Sequence, residues 1–257
     1  MRNNKCIICG SKKFKHLYYL RDYRLNNSQQ TFHYIECEKC GLITQYPQLS
    51  TLELEFHYNN NTIYEPTKNK GSLKTAIHEH GLRKRADVIL KYIKRGKLLD
   101  VGCGNGAFIN YMAVKKNFKG VGTEINHNDV KTLKNKFELD VRQGYLSEIN
   151  FPKDHFDVIS MWDVLEHVHN PQQILNEIQR ILKIDGMLVI RVPNGGSIDF
   201  RLFKQYWAGL DAPRHLFVFP KNSIKRLLEN NNFTIQSIRQ DIGGYLNFIN
   251  SISFWLN

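Results

Sequence analysis

The sequence predicts an α/β protein: a doubly wound, mostly parallel sheet with a small metal-binding module at the amino end. Three observations predict it. Apolar runs of strand length alternate with stretches of helical period from about residue 72 onward. The run Lys97-Leu98-Leu99-Asp100-Val101 enters a turn with three alternating glycines, Gly102, Gly104 and Gly106. Four of the five cysteines form two C-x-x-C pairs ahead of the sheet.

The 257 residues suffice for one sizeable domain and an appendage, with 42% hydrophobic and 23% charged residues, an ordinary globular composition. No charged and apolar leader opens the chain, and no apolar run approaches the roughly 20 residues of a membrane span. The expectation is a cytoplasmic protein. Its net charge of +12 is uneven: residues 1–97 carry 18 Lys and Arg against 8 Asp and Glu, the remainder 18 against 16. The basic amino-terminal part suits an RNA or an anionic metabolite, or is a solvated face.

Cys6-Ile-Ile-Cys9-Gly10 and Cys37-Glu-Lys-Cys40-Gly41 are knuckle sequences. The two-residue gap turns both thiolates toward one ion, and the following glycine permits a positive φ. Two knuckles make a closed Cys₄ zinc site with a structural role. The 27 residues between the pairs are absorbed by a hairpin, with strands at His16–Leu20 and Thr31–Ile35 and a turn near Asn26, Asn27 and Ser28. His16 and His33 read as strand residues. Residues 46–71, with Pro47, Pro66, Tyr46, Tyr58 and Tyr64, read as a connecting arm holding at most a short helix between Leu49 and Phe56. Ser72 to Arg95 reads as a helix covering the sheet, with Arg83-Lys84-Arg85 on a solvated face.

Glycine at 102, 104 and 106 lets a ligand approach backbone N–H groups without meeting a Cβ, and the helix from Ala107 to Lys116 turns its positive dipole end toward an anionic part of that ligand. The spacing G-x-G-x-G differs from the dinucleotide fingerprint, and Asp100, two residues ahead, would repel a pyrophosphate while suiting a ligand with an ammonium group. Further strands follow at Phe118–Ile125, Leu139–Gly144, Phe156–Asp163 and Met187–Val192, with helices between them. Phe233–Arg239 reads as a sixth strand after a helix at Ser223–Leu228. Tyr245–Leu256 reads as an apolar helix, so residues 241–257 offer no seventh strand: either the last strand is lost or the sequence is a shortened one.

The loop Asp100-Val-Gly-Cys-Gly-Asn-Gly106 resembles the first motif of class I S-adenosylmethionine-dependent methyltransferases. The order strand, Asp163-Val-Leu-Glu-His-Val168, Pro171, helix, Leu182-Lys183, Gly186, strand, Pro193-Asn194 resembles the ubiquinone-type and sugar methyltransferase branch, over about residues 97–195. The resemblance implies a Rossmann-like fold in which Asp100, Gly102, Gly104 and Gly106 hold the methionine part of S-adenosylmethionine. Glu124, at the end of the second strand, takes the ribose hydroxyls. Tyr145 stands where relatives often carry an adenine-contacting acid, and Trp162 and Asp163 end the strand facing the loop, Trp162 as an expected cofactor contact and Asp163 as an expected catalytic residue. Some members bind a divalent ion through the acid and histidine found here as Glu166 and His167.

Tyr206 to Phe219 gathers aromatic residues with Arg214 and His215, and its D-x-P-R-H-L segment is similar to one in zinc-ribbon methyltransferases of sugar and glycan modification. His215 has the pKa for removing an acceptor proton, or caps the helix near Asn222. Arg214 suits an acceptor phosphate or carboxylate. The expected layout is a zinc ribbon at 1–45, an arm at 46–71 and a methyltransferase domain at 72–257. The expected reaction is methyl transfer to a small acceptor such as a sugar nucleotide. An RNA base and a non-catalytic binding protein are the alternatives; oligomeric state is not read from the sequence.

Overall fold

A computed structural model describes residues 5–25, 29–59, 73–240 and 245–256. The expected hairpin turn at 26–28, Tyr64, Pro66 and the start of the sheet-covering helix at Ser72 lie outside them. Among the described residues nine strands run in chain order with eight helices: β1 Phe14–Arg21, β2 Thr31–Cys37, β3 Ile43–Gln45, α1 Thr51–Asn59, α2 Leu73–Leu90, β4 Gly96–Val101, α3 Ala107–Lys116, β5 Phe118–Glu124 and α4 His127–Phe137. They continue as β6 Asp140–Gln143, β7 Phe156–Trp162, α5 Pro171–Ile181, β8 Leu182–Arg191, α6 Ile198–Phe203, β9 Phe217–Val218, α7 Lys221–Asn230 and α8 Tyr245–Leu256.

The chain forms two compact units that do not follow chain order. One comprises residues 65–165 and 170–191, the other 1–64, 166–169 and 192–257. The expected boundaries at residues 45 and 71 differ from these units, because residues 192–257 group with the cysteine module.

In the first unit five parallel strands lie in the order β6-β5-β4-β7-β8. The buried runs of β4 and β7 fit strands covered on both faces. The order reverses beside β4, and such a reversal opens a ligand crevice at the carboxyl ends of the strands. Short polar residues start the helices: Asn126 accepts from the N–H groups of Asn128 and Asp129 at α4, and Asn170 accepts from Gln173 with Pro171 at the first position of α5. On β5, alternate glycines let α3 sit close. A Cβ on Gly120 or Gly122 would stand 2.5 Å from the Ile109 side chain.

In the other unit the antiparallel order is β1-β2-β3-β9. Leu20, Phe32, Tyr34, Ile43, Trp207, Leu210 and Val218 form its core. Strand β9 was not expected, since two residues are too few to show a period of two. Helix α1 is longer than the turn or two expected. Ser50 and Glu53 close a reciprocal capping box at its start, with the Ser50 N–H donating to Glu53 Oε2 at 2.7 Å and the Glu53 N–H to Ser50 Oγ at 3.3 Å.

The sixth strand is a correction. Residues 233–240 form no ladder, and Ile238 is 40% exposed; alternation alone does not make a strand without a partner edge. Tyr245–Leu256 is the expected helix. No helix among the described residues is long and apolar enough to cross a membrane.

Replacing Gly120 by Val should cost about 1–3 kcal/mol of stability through overpacking against α3. Urea denaturation of the variant beside the parent measures it.

Candidate active site

Strands β4, β5 and β7 end together, and the glycine turn leaves β4 there. Gly102, Gly104 and Gly106 have φ of 64°, 52° and 68°. Each contributes differently. A Cβ on Gly102 would lie 2.7 Å from Val164, and one on Gly106 2.7 Å from Leu133, so these two pack closely. Around Gly104 nothing lies within 4 Å of that position. It is the open floor of the turn.

Asp100 is 2% exposed, and its Oδ1 accepts from the Ser160 hydroxyl at 2.6 Å. Burial pushes its carboxyl up to about 7. The Ser160 hydrogen bond and the Arg85 charge pull it down, and the Glu124 charge adds to the rise. The Glu124 carboxylate accepts the Gly104 N–H at 2.9 Å and those of Ile125 and Asn126 at 2.8 and 3.1 Å. It is thereby fixed at the rim of the turn. The Gly144 N–H donates to the Glu124 carbonyl at 3.0 Å, which sets the exposed Tyr145 one residue beyond.

Trp162 ends β7 with its ring edge-on to Phe108 at 5.2 Å, and its buried indole N–H has no partner among the described residues. The guanidinium of Arg85 lies 5.3 Å from the Trp162 ring. The sequence reading set Arg85 on a solvated face; its place on α2 opposite the end of β7 is a tertiary fact that a run of three basic residues conceals. Asp163, expected to be catalytic, has a φ of 59° and pairs with Arg191, whose Nε donates to Oδ1 at 2.9 Å. That partner occupies the carboxylate expected for catalysis.

Residues 166–169 and 211–219 belong to the other unit. Arg214 is 2% exposed, and its guanidinium donates to Asp22 Oδ2 at 2.9 Å and Oδ1 at 2.7 Å, to Asp211 Oδ1 at 3.1 Å and to the His57 carbonyl at 3.2 Å. The expected contact with an acceptor anion is therefore corrected: this guanidinium is spent inside the protein. Burial alone would raise both carboxyls. Arg214 and His57 outweigh it at Asp22, and His215, Arg214 and Arg24 outweigh it at Asp211, so both stay below the usual carboxylate range.

His215 is 8% exposed and does not cap α7, whose start at Pro220 has no side-chain cap. Its Nδ1 lies 2.9 Å from the Gly209 carbonyl. A carbonyl only accepts, so Nδ1 carries a hydrogen and donates it there. Nε2 is 3.9 Å from Glu166 Oε1 and 3.8 Å from Asp211 Oδ2. His167 is fixed in the same way, with Nδ1 2.9 Å from the Arg214 carbonyl and 2.8 Å from the Tyr58 hydroxyl. Ligand atoms of Glu166, His167 and His215 lie within 4.8 Å of one another. Such a trio can accept a proton and stabilise the resulting imidazolium, and its donor set also suits a divalent cation. The spacing Asp211-x-x-Arg214-His215 carried a signal for Asp211, since acids three and four residues away reach both side chains.

At the cysteine module, Sγ of Cys6 and Cys40 are 3.5 Å apart, as are those of Cys9 and Cys37, and all four lie within 4.8 Å of one another. Four sulfurs about 2.3 Å from a tetrahedral zinc stand about 3.8 Å apart, so the cluster fits that ion. Gly10 and Gly41 have the positive φ expected, 69° and 75°. His16 and His33 bond to each other at 2.9 Å beneath the exposed ring of Tyr19, away from the sulfurs' donor set.

An open parallel sheet with a bare glycine turn and two acids at its switch point defines a small-molecule-binding α/β protein. A family model described as a methyltransferase domain matches residues 72–238. The chain belongs to that family, in its class I S-adenosylmethionine-dependent form. It is 38% identical over 115 residues to an uncharacterised protein of Methanocaldococcus jannaschii, covering 41% of this chain and 48% of that protein. It is 30% identical over 113 residues to a ubiquinone biosynthesis O-methyltransferase of Glaesserella parasuis, covering 38% and 45%. The matches span about half the length of these curated relatives. A crystal structure of an S-adenosylmethionine-dependent methyltransferase from Archaeoglobus fulgidus aligns with a TM-score of 0.51 at 16% identity, over 72% of this chain and 92% of that one. At that identity the likeness speaks for the fold.

Replacing Arg214 by Met should cost about 3–5 kcal/mol, because buried Asp22 and Asp211 would lose the guanidinium they share and keep His57 and Arg24. In the parent these depressed carboxyls stabilise the fold above pH about 4, and that contribution is lost as pH falls through their folded values. Urea midpoints of parent and variant between pH 3 and 7 measure both effects.

Proposed function

We propose that this chain transfers the methyl group of S-adenosylmethionine to a small acceptor, a sugar nucleotide or another glycan precursor. The observation that carries the proposal is the pair of acids at adjacent strand ends, Asp100 and Glu124, with the open Gly104 between them. The residues fit the cofactor. Asp100, a buried acid whose carboxyl burial raises to about 7, suits the ammonium group. Glu124 keeps oxygen lone pairs for ribose hydroxyls beyond its backbone bonds. Arg85 suits the methionine carboxylate, and Trp162 and Tyr145 supply flanking aromatic surface, with a buried indole donor to satisfy. The cofactor supplies an electrophilic methyl group on a sulfonium.

The chain's own part is to position the acceptor and take its proton. His215 would take the hydrogen of an acceptor hydroxyl, and S-adenosylmethionine, when bound, would supply the methyl group. Glu166 and Asp211 stabilise the imidazolium. A hydroxyl acceptor is in keeping with the O-methyltransferase among the relatives, and the glycan class with the D-x-P-R-H-L segment. Cys6, Cys9, Cys37 and Cys40 hold a structural zinc, in a unit that also takes in residues 192–257. A second reading, RNA as acceptor, draws on one observation: the exposed Tyr19 ring stacked on His33 in the basic amino-terminal part.

Methyl-labelled cofactor incubated with a panel of nucleotide sugars and with RNA tests the acceptor. Label in a nucleotide sugar supports the first reading, and label confined to RNA replaces it with the second.

Calorimetry tests the cofactor site. Asp100→Ala and Glu124→Ala should abolish cofactor binding, and His215→Ala should spare it; equal affinity in all three contradicts the roles. Because burial holds the Asp100 carboxyl near 7 and an ammonium ligand favours its ionised form, affinity should rise as pH passes upward through about 7. Asp100→Asn should remove that dependence.

A further inference from the structure

We infer that Tyr34, on β2, is a positioning residue for His215; the inference rests on the reading of His215 as proton acceptor and extends it to a residue 181 positions away in sequence. Tyr34 is fully buried, and its hydroxyl donates to the His215 carbonyl at 2.8 Å. A buried carbonyl needs a donor. The β3–β9 ladder pairs only Ile43 with Val218 and Thr44 with Phe217. Next along β3, the Gln45 N–H donates to the Leu216 carbonyl at 3.1 Å. The ladder reaches no further toward His215, and the Tyr34 hydroxyl supplies the donor in its place.

The neighbouring carbonyls are held as well. Gln45 Nε2 donates to Pro213 at 3.5 Å, His167 Nδ1 to Arg214 at 2.9 Å, and Thr44 Oγ1 to Leu216 at 3.1 Å. Four consecutive carbonyls, 213 to 216, therefore each have a donor, and three of the four are served from β2 and β3. The Gly209 carbonyl holds the ring at Nδ1. With main chain and ring both tied, Nε2 stays directed at Glu166 and Asp211. A proton acceptor misplaced by about 1 Å loses much of its effect, so a hydroxyl that never touches the reacting atoms still governs them. Tyr34 stands three residues before Cys37, so the part of β2 that carries this hydroxyl leads directly into the second cysteine knuckle.

Tyr34→Phe removes one oxygen and leaves the ring to fill the core. The full chain, labelled with ¹³C-histidine and assigned through His215→Gln, reports the ring directly by NMR. In Tyr34→Phe the His215 resonance should move or split, and amides of residues 211–219 should exchange about fivefold faster, the effect of one lost neutral hydrogen bond. Tyr18→Phe removes a hydroxyl from the facing position on β1, where the ring meets Phe200, and should leave the His215 resonance unchanged. An unmoved resonance and parental exchange in Tyr34→Phe overturn the inference, whatever the melting temperature does. Undiminished methyl transfer in His215→Gln would instead remove the underlying reading, and the two failures are distinguishable because neither NMR nor exchange requires turnover.

Discussion

Burying a carboxylate at the end of a central strand is unfavourable, and the cofactor half of this chain is arranged around that cost. Asp100 has one hydroxyl partner, Ser160 Oγ at 2.6 Å, and a carboxyl raised to about 7. A hydroxyl bond does not replace the water such a group loses. The fold could have relieved the strain with a lysine on β5 or β7 but places Ser160 opposite instead. Stability is given up as pH rises from about 4 to 7, where the unfolded chain binds fewer protons than the folded one. A cationic ligand beside such a carboxyl would recover it.

Much of this half was legible in the chain. The turn 102–106, the acid ahead of it and the acid ending β5 are local features, and local features are set by residues a few positions apart. The strands β4 and β7 were equally plain because each carries a buried, largely apolar run. Arg85 was not legible: its role comes from α2 crossing toward the end of β7, and three consecutive basic residues do not say which one turns inward. Strand β9 and the absent sixth strand err in opposite directions for one reason. Pairing in a sheet depends on an available edge, which no stretch of sequence contains. Two residues at 217–218 found one in β3; seven with suitable alternation at 233–239 did not.

Arg214 and His215 show how far adjacent residues diverge once tertiary contacts form. From sequence both belonged to a polar, aromatic segment able to meet an acceptor. In the structure the guanidinium is enclosed by Asp22, Asp211 and two backbone carbonyls, and five donors in a rigid fork leave little to offer a ligand. The imidazole beside it is held at Nδ1 by the Gly209 carbonyl and faces Glu166 and Asp211 with Nε2. Arg214 thus fixes the position from which His215 projects, and Asp211 serves both, neutralising the first and facing Nε2 of the second.

That division changes what the cysteine module is for. A ribbon joined only by an arm would need its ion merely to stay folded. Here β3 pairs with β9 on the carboxyl side of His215, the Ser223 hydroxyl bonds to the Cys40 carbonyl, and Asn230 bonds to the Ile8 carbonyl at 3.0 Å. The knuckles thus hold both ends of α7, and the sheet they support holds the segment before it. The four sulfurs, within 4.8 Å of one another, and the main chain of His215 are thereby held in one hydrogen-bonded framework.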